Sequence, residues 1–475
     1  MRVLTLLHRW IGIGLGLMFA IWFATGAVMV FVAFPSLSVD EIARASAPIA
    51  LDRLRVAPAQ AKTRFPGADD LRLIDFLGQP AYVARDRTGH DGPISGVSGE
   101  ALGRVMPGAA GAVAAGFTGA GVQSIEGPFS YDQWIVHQQF DPARPFYRVR
   151  LADPPATELY ISARTGEVLQ RTRRYERGWN WLGSILHWIY IVPIRKSFAL
   201  WDWTVWSVAL IGVATTFAGI WLGVARLRQA GRSATRSASP FRGLLRWHHV
   251  LGLTAGLFVA AWITSGWLSM DHGRLFSDGR ANASSLRAYQ AGAGGPAGKP
   301  LSAGDVRRLQ GASRIEFSTL AGHDIAAAHG PSGSRVLIAG PEGSSLGVAV
   351  PPGMVTAAAR AGWPGDQVAE NAASPTLHPY AKAEGLPGHS RLVRLTGPTP
   401  LRLYVDGLSG RILVAMTPSR EAYAWAFYIL HTYNYPGLSS RPALRITLLL
   451  IPLGLGLAFS LTGVLVGVRR LRLMR

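Results

Sequence analysis

The chain of 475 residues contains no cysteine. That excludes disulfides, cysteine-ligated zinc, iron–sulfur clusters and covalent haem attachment through C-x-x-C-H, so a redox metal would need histidine, methionine or oxygen ligands. Charge is also scarce: Asp, Glu, Lys and Arg make up 16% of the residues, against about 25% in soluble domains. The shortage is local. Trp10–Phe34, Trp203–Ala225, Val250–Met270 and Ile446–Val468 hold no charged side chain, and each reaches the ~20 residues a helix needs to cross a ~30 Å hydrocarbon core. Four transmembrane helices and a lipid-bilayer environment follow. The first window is too long for the roughly 7–15-residue apolar region of a cleaved signal, although "ARASA" nearby resembles a cleavage site.

Acidic residues are fewer than basic ones, 28 against 48, for a net charge of +20. The excess follows topology. Arg226–Arg246 carries six arginines and no acid, four more close the chain, and Arg2 and Arg9 flank its start. Short Arg-rich flanks mark the cytoplasmic side, which puts both termini and the connector inside and the long segments outside. No aromatic-interleaved basic module for nucleic acid is present. No G-x-G-x-x-G follows a predicted strand, so nothing points to NAD(P)H binding.

What is present is a duplication. At an offset of 240, His8 falls on His248, Gly12 on Gly252, Gly16 on Gly256, Trp22 on Trp262 and Gly26 on Gly266. At an offset of 244, "ELYISARTGEVL" falls on "RLYVDGLSGRIL", "ILHWIY" on "ILHTYN", and "AGIWLGVARLR" on "TGVLVGVRRLR", which pairs His187 with His431 and Gly219 with Gly463. The expected fold is an α-helical membrane bundle of two parallel repeats about an axis along the membrane normal, with two α+β external domains. The expected boundaries are helix 1 over 1–35, external domain 36–180, interfacial segment 181–200 and helix 2 over 201–226. A cytoplasmic loop then covers 227–240, helix 3 spans 241–271, the second external domain 272–422, its interfacial segment 423–440, helix 4 spans 441–468 and the tail is 469–475. Alternation in "RPFYRVRLADPPATELYISARTGEVLQRTRR" predicts paired strands with glycine-bearing turns. The Gly/Ala/Ser-rich stretches Gly92–Gly121 and Ala291–Gly311 read as loops or linkers.

Five of twelve histidines lie in or beside the apolar helices: His8, His187, His248, His249 and His431. Ionisable groups there are expensive and mark function, and four of the five recur between the repeats. Ser239-Pro240 reads as the cap and first turn of helix 3, which would place His248 about 12 Å along it. His8, Gly12 and Gly16 share one helix face, as do His248, Gly252 and Gly256, and Gly26 and Gly266 return to that face five turns later. Such glycine stripes serve close helix packing; they would also let a flat macrocycle lie beside an axial imidazole. On the repeat axis, His8 and His248 would face each other near the inner surface and His187 and His431 near the outer one. Two bis-histidine sites for two non-covalent b-type haems fit this pattern; zinc, which prefers tetrahedral sites completed by Cys, His or carboxylate, is the competing metal. His249 aligns with Arg9, and either replaces His248 as ligand or meets a haem propionate. His272 is a weaker candidate for the outer site, and His137, beside Trp134 and Tyr147, a candidate substrate contact. His90, His323, His329, His378 and His389 read as solvated.

"LHRWIGIGLGL", "FDPARPFYRV", "ELYISARTGEVL", "RGWNWLGSILHWIYIVPIR", "LLRWHHVLGL" and "SGWLSMD" resemble recurring phrases of the PepSY-associated transmembrane proteins, which include bacterial inner-membrane ferrisiderophore reductases. The likeness covers nearly the whole chain and is looser over 280–400. It implies PepSY-like periplasmic domains, haem-bearing helices and one-electron reduction of Fe(III) in a siderophore, releasing weakly held Fe(II). Some relatives are fused to a flavodoxin-like or ferredoxin-reductase-like module that feeds in electrons. Here the sequence stops at Arg475, which points to a separate cytoplasmic or quinol electron donor. The external segments show no obvious siderophore pocket. Two alternatives remain: a non-redox PepSY membrane protein that binds or modulates a periplasmic protease or other partner, and a quinol-linked conduit to another periplasmic acceptor.

Overall fold

A computed structural model describes the chain except residues 67, 69, 85–91, 232–238, 295–297, 374–379, 382–383, 399, 436 and 475. The four charge-free windows form the four long helices α1 (Arg2–Met29), α2 (Phe198–Gly231), α3 (Gly243–Ser269) and α4 (Pro442–Arg472). Each is long and apolar enough to cross a membrane. Their surfaces are inverted relative to a soluble bundle: Leu17, Trp221, Leu257 and Ile451 point outward and exposed, as side chains that face lipid do. Inside, α1 packs on α4, α2 on α3, α3 on α4 and α1 on α2. Phe23, Ala255, Val259, Trp262, Leu449 and Leu453 form the core between α1, α3 and α4. Arg9, Arg226 and Arg470 lie at one end of the bundle, called the basic end below.

Both long connections leave and rejoin the bundle at the other end. Each builds a four-stranded antiparallel sheet. The first is ordered β4 (Val122–Phe129), β5 (Phe146–Leu151), β6 (Glu158–Ser162), β7 (Val168–Thr172); the second β12 (Gln367–Ala373), β13 (Arg391–Thr396), β14 (Leu401–Val405), β15 (Ile412–Met416). The predicted turns join β6 to β7 and β14 to β15, with Gly166 and Gly410 at φ 73° and 69°, a region glycine enters without a Cβ penalty.

The two segments also share a third sheet. β1 (Leu71–Phe76), β2 (Gln79–Ala84) and β3 (Ile94–Ser95) from the first join β8 (Arg314–Leu320), β9 (His323–Gly330), β10 (Gly333–Ala339) and β11 (Ser344–Gly347) from the second, in the order β11-β10-β9-β8-β1-β2-β3. The seam is the antiparallel pair β1–β8, with Leu71 opposite Phe317 and Ile74 opposite Arg314. A charged clasp crosses it. Glu167, after the β6–β7 turn glycine, takes Arg72 at 2.6 Å and Arg314 at 3.0 Å, and Arg411, after the equivalent glycine, reaches Asp70 at 3.2 Å. Burial raises the Glu167 carboxyl, but the Arg72 guanidinium, with Arg314 behind it, outweighs this and holds it at about 2.

Three local expectations are corrected. Helix α3 begins at Gly243 with Arg242 as its cap; the Ser239 hydroxyl accepts from the Phe241 backbone N–H instead. The Gly/Ala-rich stretch 92–121 contains a helix, Pro107–Thr118, which buries Ala110, Gly111 and Ala114. Within 291–311, Ala303–Arg307 is helical, started by a Ser302–Asp305 capping box.

Candidate functional site

Each of the four recurring histidines is held by one ring nitrogen. At the basic end, His8 Nδ1 lies 3.1 Å from the Thr215 carbonyl of α2, and His248 Nδ1 lies 3.1 Å from the Thr462 hydroxyl of α4. At the other end, His187 Nδ1 meets the Thr25 hydroxyl and His431 Nδ1 the Ser265 hydroxyl, both at 3.0 Å. The tautomers follow from the partners. A carbonyl only accepts, so Nδ1 of His8 carries the proton. Each of the three hydroxyls already donates to a carbonyl of its own helix: Thr25 to Trp22, Ser265 to Trp262, Thr462 to Phe459. Each can therefore only accept from the imidazole. All four rings thus carry Nδ1–H and present an unprotonated Nε2. A histidine readied for a metal shows this arrangement, its second nitrogen fixing tautomer and ring orientation.

Glycines close in on each ring. A Cβ at Gly219 would stand 2.6 Å from His8 Cε1, and one at Gly463 would stand 3.2 Å from His248 Cε1; Gly26 and Gly266 approach His187 and His431 at 3.6 and 3.3 Å. The expectation that each histidine and its own helix's glycines share a face is met by a cavity of about 500 Å³ that His8, Gly12, Gly16, His248, Gly252 and Gly256 all line. The tight approaches, however, come from glycines of other helices.

The second pair sits on short segments against the bundle. His187 is in the helix Ser184–Trp188, and His431 follows a five-residue π-helical turn, Trp425–Ile429. Trp22 donates its indole N–H to the His187 carbonyl at 3.1 Å, and Trp262 does the same to the His431 carbonyl at 3.0 Å. Two residues after each histidine, Ile189 and Tyr433 both adopt φ 54°, a conformation rare and strained for such side chains. The two imidazole centres are 6.4 Å apart.

His249 differs. Its Nε2 lies 3.0 Å from the Gly223 carbonyl and so carries the proton, while Nδ1 is buried without a partner among the described residues. The neighbouring histidines therefore hold opposite tautomers, and only His248 shares the pattern of His8. His249 lines the cavity together with Arg9, Arg226 and Arg470.

The remaining histidines lie elsewhere. His272 does not approach the His187–His431 pair; it bonds Asp202 at 2.6 Å between Trp203 and Trp206. His137 packs edge-on against Phe34 and Tyr190, where burial, with Arg195 nearby, lowers it to about 4 and keeps it neutral. Three histidines expected in solvent have partners: His323 bonds the Ala339 carbonyl, His329 lies beside Asp40 and His389 beside Asp406. His90 and His378 lie outside the described residues. The hydroxyl partners escaped the sequence reading, although "WFATG" at 22–26 and "WITSG" at 262–266 carry Trp, hydroxyl and Gly at matching positions.

The donor set suits some groups and not others. Among the described residues no three His, Asp or Glu side chains gather as a metal site. The histidines come in twos, and two imidazoles complete a metal only where other ligands supply the rest. A macrocycle that supplies the other metal ligands would be completed by one such histidine pair. A cavity of about 500 Å³ also falls within the roughly 300–1,000 Å³ of ligand and cofactor pockets.

The fold defines a multi-pass membrane protein with an α+β part at one end of its helices. The family described as the PepSY-associated TM region matches residues 5–470, and the chain belongs to it. No curated protein and no solved structure matches the chain.

Proposed function

We propose that this chain is a di-haem reductase of the bacterial inner membrane that carries electrons to the periplasmic side and reduces Fe(III) in siderophores there. The observation that carries the proposal is the four-fold recurrence of one tautomer, Nδ1–H tied and Nε2 bare, in two pairs at the two ends of one bundle. Under this reading His8 and His248 hold the haem of the basic end, and His187 and His431 the other. When bound, the haems supply one-electron redox chemistry.

The protein's own residues do the rest. The Thr215 carbonyl and the hydroxyls of Thr462, Thr25 and Ser265 fix the imidazoles and strengthen them as ligands by accepting from Nδ1–H. Arg9, Arg226 and Arg470 offer cations to propionate carboxylates at the basic end. The apolar lining of the helices keeps water from the path. Both sheet-bearing segments meet the bundle at the end of His187 and His431, so a ferric chelate reaches that end from the outside.

The test uses the full chain, reduced with dithionite, freed of reductant and mixed with a ferric hydroxamate siderophore and an Fe(II) chelator. The proposal expects up to two Fe(II) per chain, and far less from His187→Ala. A reduced protein that yields no Fe(II) with ferric hydroxamates, catecholates or carboxylates would overturn the siderophore assignment.

A further inference from the structure

The two halves of the bundle differ in one polar cluster. Where α2 meets the end of α3, His272 Nδ1 bonds Asp202 Oδ2 at 2.6 Å, and the imidazole lies between the rings of Trp203 at 4.3 Å and Trp206 at 4.6 Å. Trp267 joins this group with its ring 6.0 Å from Trp206. Three buried polar atoms here have no hydrogen-bond partner among the described residues: Asp202 Oδ1, Trp267 Nε1 and, one turn earlier on α3, Thr264 Oγ1. Buried polar groups are nearly always paired, so three together point to a missing partner.

The fold does not require this polarity. At the two sequence offsets, Asp202 and Trp206 correspond to Ile446 and Leu450, and Thr264, Trp267 and His272 to Ala24, Ala27 and Val32. These five counterparts are apolar, and that of Trp203 is Thr447.

The partner must satisfy donors and acceptors at once. Trp267 N–H donates, Asp202 Oδ1 accepts, and Thr264 does either. Indole rings provide flat apolar walls, and Trp203 is 56% exposed on the outer surface of α2, so entry is from the bilayer. A phosphate headgroup, anionic and without a donor in its ionised form, is repelled by the carboxylate. A hydroquinone ring, flat and lipid-soluble with a hydroxyl at each end, meets every condition. We propose that Asp202, His272, Trp203, Trp206, Thr264 and Trp267 form a binding site for the headgroup of a quinone-class electron carrier. The site lies across α3 from the histidine pair: Ser265 and Gly266 face His431, while Thr264 and Trp267 lie on the other side of a helix about 10 Å thick.

The claim is one of binding and goes beyond the haem reading, so the two fail separately. Full-length protein in quinone-free nanodiscs is titrated anaerobically with decyl-ubiquinol, and binding is read from tryptophan fluorescence, with and without haem. Saturable quenching is expected, with Kd raised at least tenfold in Asp202→Leu and His272→Leu and less in His272→Gln. Because those variants risk misfolding, wild-type protein is also labelled with a photoreactive quinone, and adducts are expected within 202–206 and 264–272. Non-saturable quenching, variants that bind like wild type, labelling elsewhere, or displacement by phosphatidylglycerol would each overturn the proposal.

Discussion

His8 rests on Gly219 so closely that a methyl group there would lie 2.6 Å from the imidazole Cε1, whereas the corresponding contact of Gly463 with His248 leaves 3.2 Å. A Cβ cannot stand at the shorter distance without moving the ring, and at the longer one a shift of a few tenths of an ångström suffices. Gly219→Ala is therefore expected to expel the haem of the basic end, and Gly463→Ala to weaken it. Haem-to-protein ratios of the two purified variants check the order; equal ratios would remove steric fit from the account.

The adjacent histidines make a sharper comparison. His248 presents Nε2, while His249 donates its Nε2–H to the Gly223 carbonyl. His248→Ala is expected to halve the haem content, and His249→Ala to leave it unchanged. Absorbance at the Soret band per mole of chain decides between them.

The hydroxyls that set the tautomers are testable by small changes. Thr25→Val and Ser265→Ala remove the hydroxyl that accepts from Nδ1–H of His187 and His431, and loss of such supporting partners typically costs 10–100-fold in metal affinity. Thr25→Ser keeps the acceptor and is expected to behave as wild type. Haem transfer to apomyoglobin measures the difference.

Much of this was legible in the sequence, for identifiable reasons. A charge-free run of membrane length has one structural solution, and duplication exposed the histidine pairs because matched positions stand out at a constant offset. What the sequence hid were partners brought from far along the chain. Thr215 lies 207 residues from His8, and nothing near either announces the contact. The shared sheet was hidden likewise, since β1 and β8 lie more than 200 residues apart and neither segment announces the pairing. Residues 107–118 resemble a loop in sequence because glycine and alanine dominate them, yet alanine favours helix and the buried face needs only small side chains. Asp202 left one trace, an acid beside the charge-free window that begins at Trp203.

The clasp across the shared sheet gives the pH dependence. Glu167 is held at about 2 in the folded protein, below the usual value near 4.3. Its contribution to stability is present above the usual value and is lost as pH falls toward 2. Glu167→Gln removes that acid sensitivity and, by leaving buried arginine charge uncompensated, is expected to cost about 3–5 kcal/mol. Thermal melts of wild type and variant between pH 7 and 3 check both statements. Curves that stay parallel would show that Glu167 does not couple stability to pH.

The central claim is that two histidine pairs hold two haems, and a pyridine haemochrome spectrum of the purified, folded protein tests it most directly. The account predicts two haem b per chain, falling to one in His8→Ala and in His431→Ala. A folded preparation from haem-sufficient cells with no Soret band would contradict it.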